Sequence, residues 1–366
     1  MTNEGLKEQL LSDVNHFKIH GRTTGERSPL TLFWTGSAVE FNAKGSELWV
    51  EIEASYDQLE PWISIVINGV PISRQMVTAG RRWFCVFRGM NSQVIKNVRI
   101  VKDTQAMSSD PSCSLQIRGV KFDGDFLPVD EKPYKIEFIG DSITSGEGAI
   151  GAKAEEDWIP MWFSALDNYA AMTADALNAD YSILSQSGWG VMAGWDNNPY
   201  CNLPDYYEKV CGLLSGDKNA ALGAFREHDF ASWQPDAVVV NLGTNDWNAF
   251  QMPAWRDEKT GQTHKLRLNE DLAAFEQAVQ HFLAKLRKHN GRAHIVWAYG
   301  LLGFPMMPAI YRAVDAYKRE TGDAKVSVFQ LPAMTEETVG ARYHPGKAAH
   351  AWAAEALAEY LKGVLA

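Results

Sequence analysis

The chain has few cysteines and no long apolar run, and both shortages exclude classes of protein. Its 366 residues include 4 cysteines, with no CxxC spacing and no partnered histidines, which argues against a zinc site. No stretch approaches the ~18 consecutive apolar residues of a membrane helix. The start, MTNEGLKEQLLSDVNHF, lacks the basic segment and following apolar segment of a secretory signal. We therefore expect a cytoplasmic protein with reduced thiols.

Basic residues are also in short supply. The chain carries 35 Lys and Arg against 45 Asp and Glu, a formal net charge of −10. Nucleic acid and anionic membrane would both require a basic patch, so we expect neither as a partner. The remaining composition, with 46% hydrophobic residues, is that of a globular protein, and 366 residues suffice for two domains.

Alternating apolar and charged residues dominate the first third of the chain. In ELWVEIE (47–53) the leucine, valine and isoleucine share one face of a strand, and charged residues take the other. Similar short strands recur, separated by turn signals such as NG at 68–69, and no long helical period interrupts them. The pattern predicts an all-β sandwich over residues 1–130. The acidic, proline-containing segment 123–133 is predicted to be a linker.

From residue 134 apolar strands alternate with helical patterns. The predicted strands are YKIEFIG (134–140), YSILSQSG (181–188), DAVVVNLG (236–243), AHIVWAYG (293–300) and KVSVFQL (325–331), and the predicted helices are DNYAAMTADALN (167–178), DLAAFEQAVQHFLAKLRKH (271–289) and KAAHAWAAEALAEYLKGVLA (347–366). Strands that are apolar throughout and alternate with helices predict a five-stranded parallel sheet covered on both faces. This second domain takes residues 131–366, and its ligands should bind outside the carboxyl ends of the strands.

Residues suited to serine hydrolase chemistry follow these strands. Ser142 follows the first strand within GDS, Gly188 the second within SQSGWG, and Asn245 the third within GTND, while His344 precedes the last helix within YHPG. These positions should meet at one edge of the sheet. Ser142 would attack an ester and His344 would accept its proton. The N–H groups of Ser142 and Gly188 and the amide of Asn245 would bind the oxyanion.

Each of these residues has a structural alternative when it is considered alone. A serine after Asp in a strand–helix turn is often a helix cap, and Gly188 and Asn245 both suit tight turns. A histidine before proline is often structural. Their occurrence together, in this order and at these strand ends, favours the catalytic interpretation. Asp141 and Asp246 are interpreted as structural carboxylates that cap or hold the same loops.

The stretches GDSITSGEG, SGWG, GTND and the late HP resemble the four sequence blocks of the SGNH (GDSL-type) hydrolases. The resemblance covers residues 134–366. It implies a flavodoxin-like, three-layer α/β/α domain. It also implies that Ser142, Gly188, Asn245 and His344 take the roles given above.

With a β-sandwich in front of such a domain, the whole chain is similar to carbohydrate esterase family 2. Residues 20–52 resemble the start of that family's jelly-roll-like module, and GARYHPGKAAH (340–350) resembles its block around the histidine. The resemblance implies removal of O-acetyl groups from plant polysaccharides. It also implies that Tyr343, the aromatic residue before the histidine, contacts the sugar.

The sequence lacks the acid that commonly accompanies the histidine in these families. SGNH enzymes commonly have Asp three residues before it, where this chain has Ala341, and some family 2 esterases have an acid two residues before it, where this chain has Arg342. Glu336 and Glu337 lie nearby but are better explained as solvated loop charges. A main-chain carbonyl bonded to Nδ1–H also fixes the imidazole tautomer. We therefore predict a Ser-His dyad with a main-chain orienter.

Aromatic residues close to the motifs predict the walls of a substrate site. Trp189, Trp195 and Trp247 are candidates for contacts with the acyl group or the sugar, with ordinary packing as the alternative. The predicted substrate is a small acetylated manno- or xylo-oligosaccharide, and the reaction needs no metal or organic cofactor. A lipolytic SGNH esterase or thioesterase, or a carbohydrate-binding protein with a decayed site, stay as alternatives. Oligomeric state and sugar binding by the first domain stay open.

Overall fold

The structure is a computed structural model that describes residues 5–365. The strands are β1 (Lys7–Leu10), β2 (Lys18–His20), β3 (Leu30–Thr31), β4 (Ala38–Lys44), β5 (Glu47–Ser55), β6 (Trp62–Ile67), β7 (Val70–Met76), β8 (Gly80–Arg88), β9 (Ile95–Lys102), β10 (Ser114–Phe122), β11 (Asp125–Leu127), β12 (Tyr134–Gly140), β13 (Ala179–Ser185), β14 (Ala237–Asn241), β15 (Trp255–Arg256), β16 (Thr263–His264), β17 (His294–Tyr299) and β18 (Val326–Gln330). The α-helices are α1 (Ser142–Ser145), α2 (Tyr169–Ala176), α3 (Gly216–Ala221), α4 (Thr244–Gln251), α5 (Leu268–His289), α6 (Met307–Thr321) and α7 (Lys347–Leu365).

The chain divides into two compact units. The first comprises residues up to Glu131 with Ile159–Met161 and Lys209–His228, and the second comprises Lys132–Trp158, Trp162–Glu208 and the chain from Asp229 onward. The main division lies one residue from the predicted boundary, but segment 209–228 differs from the prediction by belonging to the first unit. Within that unit, the indole of Trp34 donates to the Val210 carbonyl at 2.6 Å, and the Asn219 amide donates to the Pro111 carbonyl at 3.0 Å.

Two antiparallel sheets form the first unit. One has the order β1-β10-β5-β8 with β3 paired to β10, and the other has the order β11-β4-β9-β6-β7 with β2 paired to β4. The apolar faces of both sheets meet in one buried core, to which β5 contributes Val50 and Ile52 and β6 contributes Ile63 and Ile65. The predicted β-sandwich is confirmed. The segment 123–133 differs from the prediction of a linker, because β11 lies within it and pairs with β4.

A five-stranded parallel sheet forms the centre of the second unit, with the order β13-β12-β14-β17-β18. Helices α2 and α7 cover one face, where Ala174 and Ala353 belong to the same buried core as Phe138 of the sheet. Helix α5 covers the other face, where Phe282 meets Trp297 of β17 edge to face with 6.4 Å between ring centroids. The predicted three-layer α/β/α architecture is confirmed. Helix α6, which the sequence analysis did not single out, packs beside α5.

The register of the sheet aligns the carboxyl ends of three strands. Gly140, the last residue of β12, lies opposite Ser185 of β13 and Asn241 of β14. A side chain at Gly140 would collide with the Thr144 hydroxyl and lie 2.8 Å from the Asn241 carbonyl oxygen, so only glycine fits. The loops that follow β12, β13 and β14 therefore leave the sheet at one edge, as the sequence motifs require.

The cysteines, the apolar helices and the possible metal ligands can be described over residues 5–365. All four cysteines, Cys85, Cys113, Cys201 and Cys211, carry free thiols. No helix in this range is both long and apolar enough to cross a membrane. Nor does this range contain a group of three or more His, Cys, Asp or Glu side chains placed to hold a metal ion.

Candidate active site

Ser142 begins the short helix α1, directly after β12. Asp141 is the N-cap of this helix, and its carboxylate accepts the N–H of Ile143 at 3.0 Å. The helix ends after one turn at Gly146, whose φ of 73° is left-handed and whose N–H bonds to the Ile143 carbonyl. This tight turn places the Ser142 hydroxyl at the edge of the sheet, as expected from its sequence position.

His344 bonds to Ser142 on one side and to the main chain on the other. Its Nε2 lies 3.0 Å from Ser142 Oγ, and its Nδ1 lies 2.8 Å from the carbonyl oxygen of Arg342. A carbonyl oxygen can only accept a hydrogen bond, so Nδ1 carries the proton and Nε2 presents its lone pair to the serine. This is the tautomer that a general base for Ser142 needs. The orienting group is a main-chain carbonyl, which is the geometry predicted from the missing acid.

An unusual backbone turn makes this carbonyl available. Arg342 and Tyr343 both have left-handed conformations, with φ of 56° and 55°. Such a conformation costs a non-glycine residue about 1–2 kcal/mol, so surrounding contacts must hold it. One of these contacts closes the loop across the turn, where the Gly340 N–H donates to the His344 carbonyl at 2.8 Å. The reversal directs the Arg342 carbonyl back toward the imidazole two residues later.

One buried carboxylate lies beside His344 and is not among the predicted site residues. Glu147 is only 3% exposed, and its Oε1 lies 3.0 Å from Arg342 Nε and 3.8 Å from His344 Nε2. Its position offered a signal, because it stands between two glycines in the serine motif GDSITSGEG. From the sequence alone, Arg342 is notable only because it stands where some family 2 esterases have an acid.

Two of the three predicted oxyanion donors, Gly188 and Asn245, lie in the segments that follow β13 and β14. Gly188 has a φ of 80°, and the Trp195 ring would lie 3.0 Å from a side chain built there, so glycine suits the position. Asn245 lies in the first turn of α4. Its amide nitrogen donates to the Trp189 carbonyl at 2.9 Å and lies 3.3 Å from a carboxylate oxygen of Asp141. Their oxyanion roles stay predictions.

Asp141 and Asp246 hold these loops together from inside the protein. Burial raises the pKa of Asp141 to about 7, with a further contribution from the negative charge of Asp246. Burial also raises the pKa of Asp246 to about 6, against the lowering effect of main-chain donors. Asp246 accepts the N–H groups of Val191 at 2.9 Å and Met192 at 2.8 Å, and so fastens the loop that carries Gly188. Both carboxylates have the structural contacts expected of them.

Comparison with known proteins identifies the family. The model of the GDSL-like Lipase/Acylhydrolase family matches residues 138–352. The chain belongs to this family. The acetyl xylan esterase Est2A from the rumen bacterium Butyrivibrio proteoclasticus is 47% identical, with 98% of each chain covered and a TM-score of 0.95. A family two carbohydrate esterase from Clostridium thermocellum, solved with cellohexaose, is 26% identical over 95% of this chain and 99% of that one, with a TM-score of 0.79.

These similarities extend over both units, so the chain is of the carbohydrate esterase family 2 type. Among curated relatives, the cellulase/esterase CelE of Acetivibrio thermocellus is 27% identical over 91% of this chain and 37% of its own length. An acetylxylan esterase / glucomannan deacetylase of Cellvibrio japonicus is 28% identical over 64% of this chain and 62% of its own. The chain thus spans less than two thirds of the length of these curated relatives.

The side chains that are predicted to contact substrate differ in their exposure to solvent. Tyr343 is 63% exposed and Trp195 is 47% exposed, so both offer a ring to a ligand, and Trp247 is half-buried. Trp189 is 7% exposed and packs on Tyr206 with 5.4 Å between ring centroids, so a sugar reaches no more than its edge. The contact roles of all four tryptophan and tyrosine candidates stay predictions.

The two loop acids, Glu336 and Glu337, bond to groups other than the imidazole. Glu336 pairs with Lys153 and accepts the Tyr343 hydroxyl at 3.4 Å. Glu337 accepts the Thr335 hydroxyl at 2.9 Å. Both are exposed, in agreement with their interpretation as solvated charges.

Proposed function

We propose that this esterase removes O-acetyl groups from acetylated plant oligosaccharides of the xylan or mannan type, through an acyl-enzyme on Ser142. The observation that carries the proposal is the hydrogen-bonded chain from Ser142 Oγ through His344 to the Arg342 carbonyl, with distances of 3.0 Å and 2.8 Å. It supplies a nucleophile, a base in the correct tautomer and an orienting group.

In the proposed reaction Ser142 Oγ attacks the acetyl carbonyl carbon while His344 Nε2 takes the serine proton. The Ser142 and Gly188 N–H groups and the Asn245 amide stabilise the negative charge that develops on the carbonyl oxygen. The bond to the sugar oxygen then breaks, and the imidazolium returns the proton to that oxygen. Water next attacks the acetyl-serine with His344 as base, which releases acetate and restores Ser142.

The substrate class rests on the relatives and on the exposed rings. Relatives are described as an acetyl xylan esterase and as an acetylxylan esterase / glucomannan deacetylase, and one was solved with cellohexaose. Exposed Tyr343 and Trp195 supply flat apolar faces of the kind that pack on sugar rings. Tyr343 adjoins the proposed base directly in the chain.

Acetate release from acetylated xylo- and manno-oligosaccharides tests the proposal. The intact protein should release acetate from at least one of them, and folded Ser142→Ala should release none above the rate without enzyme. A series of 4-nitrophenyl esters should show a steep fall in kcat/KM beyond the two-carbon acyl group. Activity that rises with acyl length would instead establish a lipolytic esterase. Glycan binding without turnover would establish a decayed binding protein.

A further inference from the structure

An ion pair beside the dyad takes no part in the mechanism proposed above. Glu147 is 3% exposed and Arg342 is 32% exposed, and Arg342 Nε donates to Glu147 Oε1 at 3.0 Å. The same carboxylate oxygen lies 3.8 Å from His344 Nε2. A buried carboxylate needs such a partner, because an uncompensated charge in the protein interior is strongly destabilising.

Arg342 is held at three points, and each comes from the loop after the nucleophile. Its main-chain N–H donates to the Glu155 carbonyl at 2.7 Å, and its Nη1 donates to the Glu156 carbonyl at 2.9 Å. Its Nε donates to Glu147. Among these three contacts, Glu147 supplies the one side-chain contact and the one full charge. It links the turn that carries Ser142 to the residue whose carbonyl orients His344.

The chain around Glu147 is shaped to bring its carboxylate to this place. Gly146 and Gly148 on either side are left-handed, with φ of 73° and 72°. A side chain at Gly148 would collide with the Ala341 carbonyl oxygen and lie 2.7 Å from the His344 Cβ. The Glu147 N–H donates to the Ser142 carbonyl at 3.0 Å. The turn therefore approaches the histidine loop closely, with the acid between them.

We propose that Glu147 is the positioning acid of this active site and that it acts through Arg342. The proposal rests on the Ser-His dyad of the proposed function. Its ion pair keeps Arg342 in the left-handed conformation that aims the carbonyl at His344 Nδ1. The residue thus supplies, from the nucleophile turn, the acid that is missing before the histidine.

Glu147→Gln tests this proposal, because it keeps the size of the side chain and removes its charge. With 4-nitrophenyl acetate we expect kcat to fall at least about tenfold, and by less than the ~10⁴-fold that follows alteration of a directly bonded acid. KM should stay within about twofold, because Glu147 acts on the dyad and not on the substrate. The downfield proton resonance of His344 Nδ1–H should shift in the folded variant.

Asp157→Asn is the matched control. Asp157 is an exposed acid of the same loop and is not one of the three contacts of Arg342, so both kinetic constants and the resonance should match those of the wild type. The double variant Glu147→Gln/Arg342→Gln removes both charges together and leaves no unpaired buried ion. It should lose at least as much activity as Glu147→Gln, because it also removes the bond from Arg342 to the Glu156 carbonyl.

The outcomes separate this proposal from the proposed function. Wild-type turnover that disappears in Ser142→Ala establishes the serine esterase whatever Glu147 does. A kcat within about twofold of wild type in Glu147→Gln, or in the double variant should the single one not fold, overturns the positioning role. An unchanged Nδ1–H resonance also overturns it, and that measurement needs no turnover.

Discussion

The amide of Asn245 has two hydrogens, and the structure gives each a different acceptor. One goes to the Trp189 carbonyl at 2.9 Å, and the other faces Asp141 at the longer distance of 3.3 Å. Stabilising an oxyanion would need the second hydrogen, while the first keeps the side chain in place. At the residue scale, then, one amide hydrogen of Asn245 holds the side chain in place, and the other makes only a long hydrogen bond before substrate binds.

Asn245→Ala should lower kcat for acetyl esters by about 10²–10³, the loss typical of removing one oxyanion donor. The variant also leaves the buried Trp189 carbonyl without this donor, at a cost of about 1–3 kcal/mol in the free energy of unfolding. Kinetics and chemical denaturation measure the two effects separately. Asn248→Ala, one turn further along α4, is the control. An unchanged kcat in Asn245→Ala would remove the residue from the oxyanion site.

Asp141 should make the free energy of unfolding depend on pH. Its folded pKa of about 7 lies above the unfolded value of about 3.9, so the folded state holds a proton that the unfolded chain has lost between those pH values. Its contribution to stability is therefore lost as pH rises from about 4 to about 7, by up to about 1.4 kcal/mol per pH unit.

Asp141→Asn keeps a capping side chain and removes this titration. The stability of the variant relative to wild type should therefore rise with pH between about 4 and 7, as measured by urea unfolding at several pH values. The comparison is needed because His350, with a pKa lowered by burial to about 3, gives wild type an opposite slope below about pH 6.5. Exposed Asp157→Asn should show no such trend. Parallel curves for Asp141→Asn and wild type would contradict the assignment.

Helix α7 connects the histidine loop to the core. Just before the helix, the Gly346 N–H donates to the Thr338 carbonyl at 2.8 Å, and its first residue Lys347 donates its N–H to the Ala149 carbonyl at 3.0 Å. Further along, Ala353 is fully buried in the core shared with α2. At the element scale, small residues on this face allow α7 to lie close to α2, and the position of its first residue sets where His344 lies.

Ala353→Leu should overpack this interface and lower the free energy of unfolding by about 1–3 kcal/mol. Ala351→Leu, on the exposed face of the same helix, should change it by less than about 0.5 kcal/mol. Denaturant unfolding of the two variants measures the difference. Equal stabilities would show that the helix can shift to accept the larger side chain.

At the scale of the whole molecule, the first unit is discontinuous in sequence. Segment 209–228 returns to it from the second half of the chain, bonded to Trp34 and Pro111 and contributing the buried side chains of Leu213 and Leu214. A chain that starts at Lys132 would expose these apolar groups to water. A single cut in the polypeptide therefore cannot separate the two units and leave the buried core of each intact.

A polypeptide of residues 132–366 should be cleaved by proteases within 209–228 and should aggregate more readily than the full chain. Limited proteolysis with mass spectrometry identifies the cleavage sites. The matched control is the full-length protein cut at an engineered protease site between Glu131 and Lys132, which keeps both pieces together. Segment 209–228 should stay protected in that control. Equal protection in the shortened polypeptide would contradict the assignment of this segment to the first unit.

The sequence by itself determined the architecture and the main candidates for chemistry. Period-two alternation marks the strands of the sandwich, and continuous apolar strands between helices mark the parallel sheet. Ser142 and His344 are 202 residues apart, yet both were predicted for one site. The prediction was possible because parallel strands end at the same sheet edge, so position relative to a strand locates a residue in space.

Only the tertiary structure decided which carbonyl orients His344, where Glu147 lies and where segment 209–228 belongs. The Arg342 carbonyl faces the imidazole because two non-glycine residues adopt left-handed conformations, which no propensity favours. Glu147 and Arg342 are 195 residues apart in the chain, and the close packing of two glycine-flanked loops brings their side chains into contact. Periodicity and motifs report local conformation and strand ends. Contacts between irregular loops depend on the close packing of the whole domain, which leaves no repeating mark in the sequence.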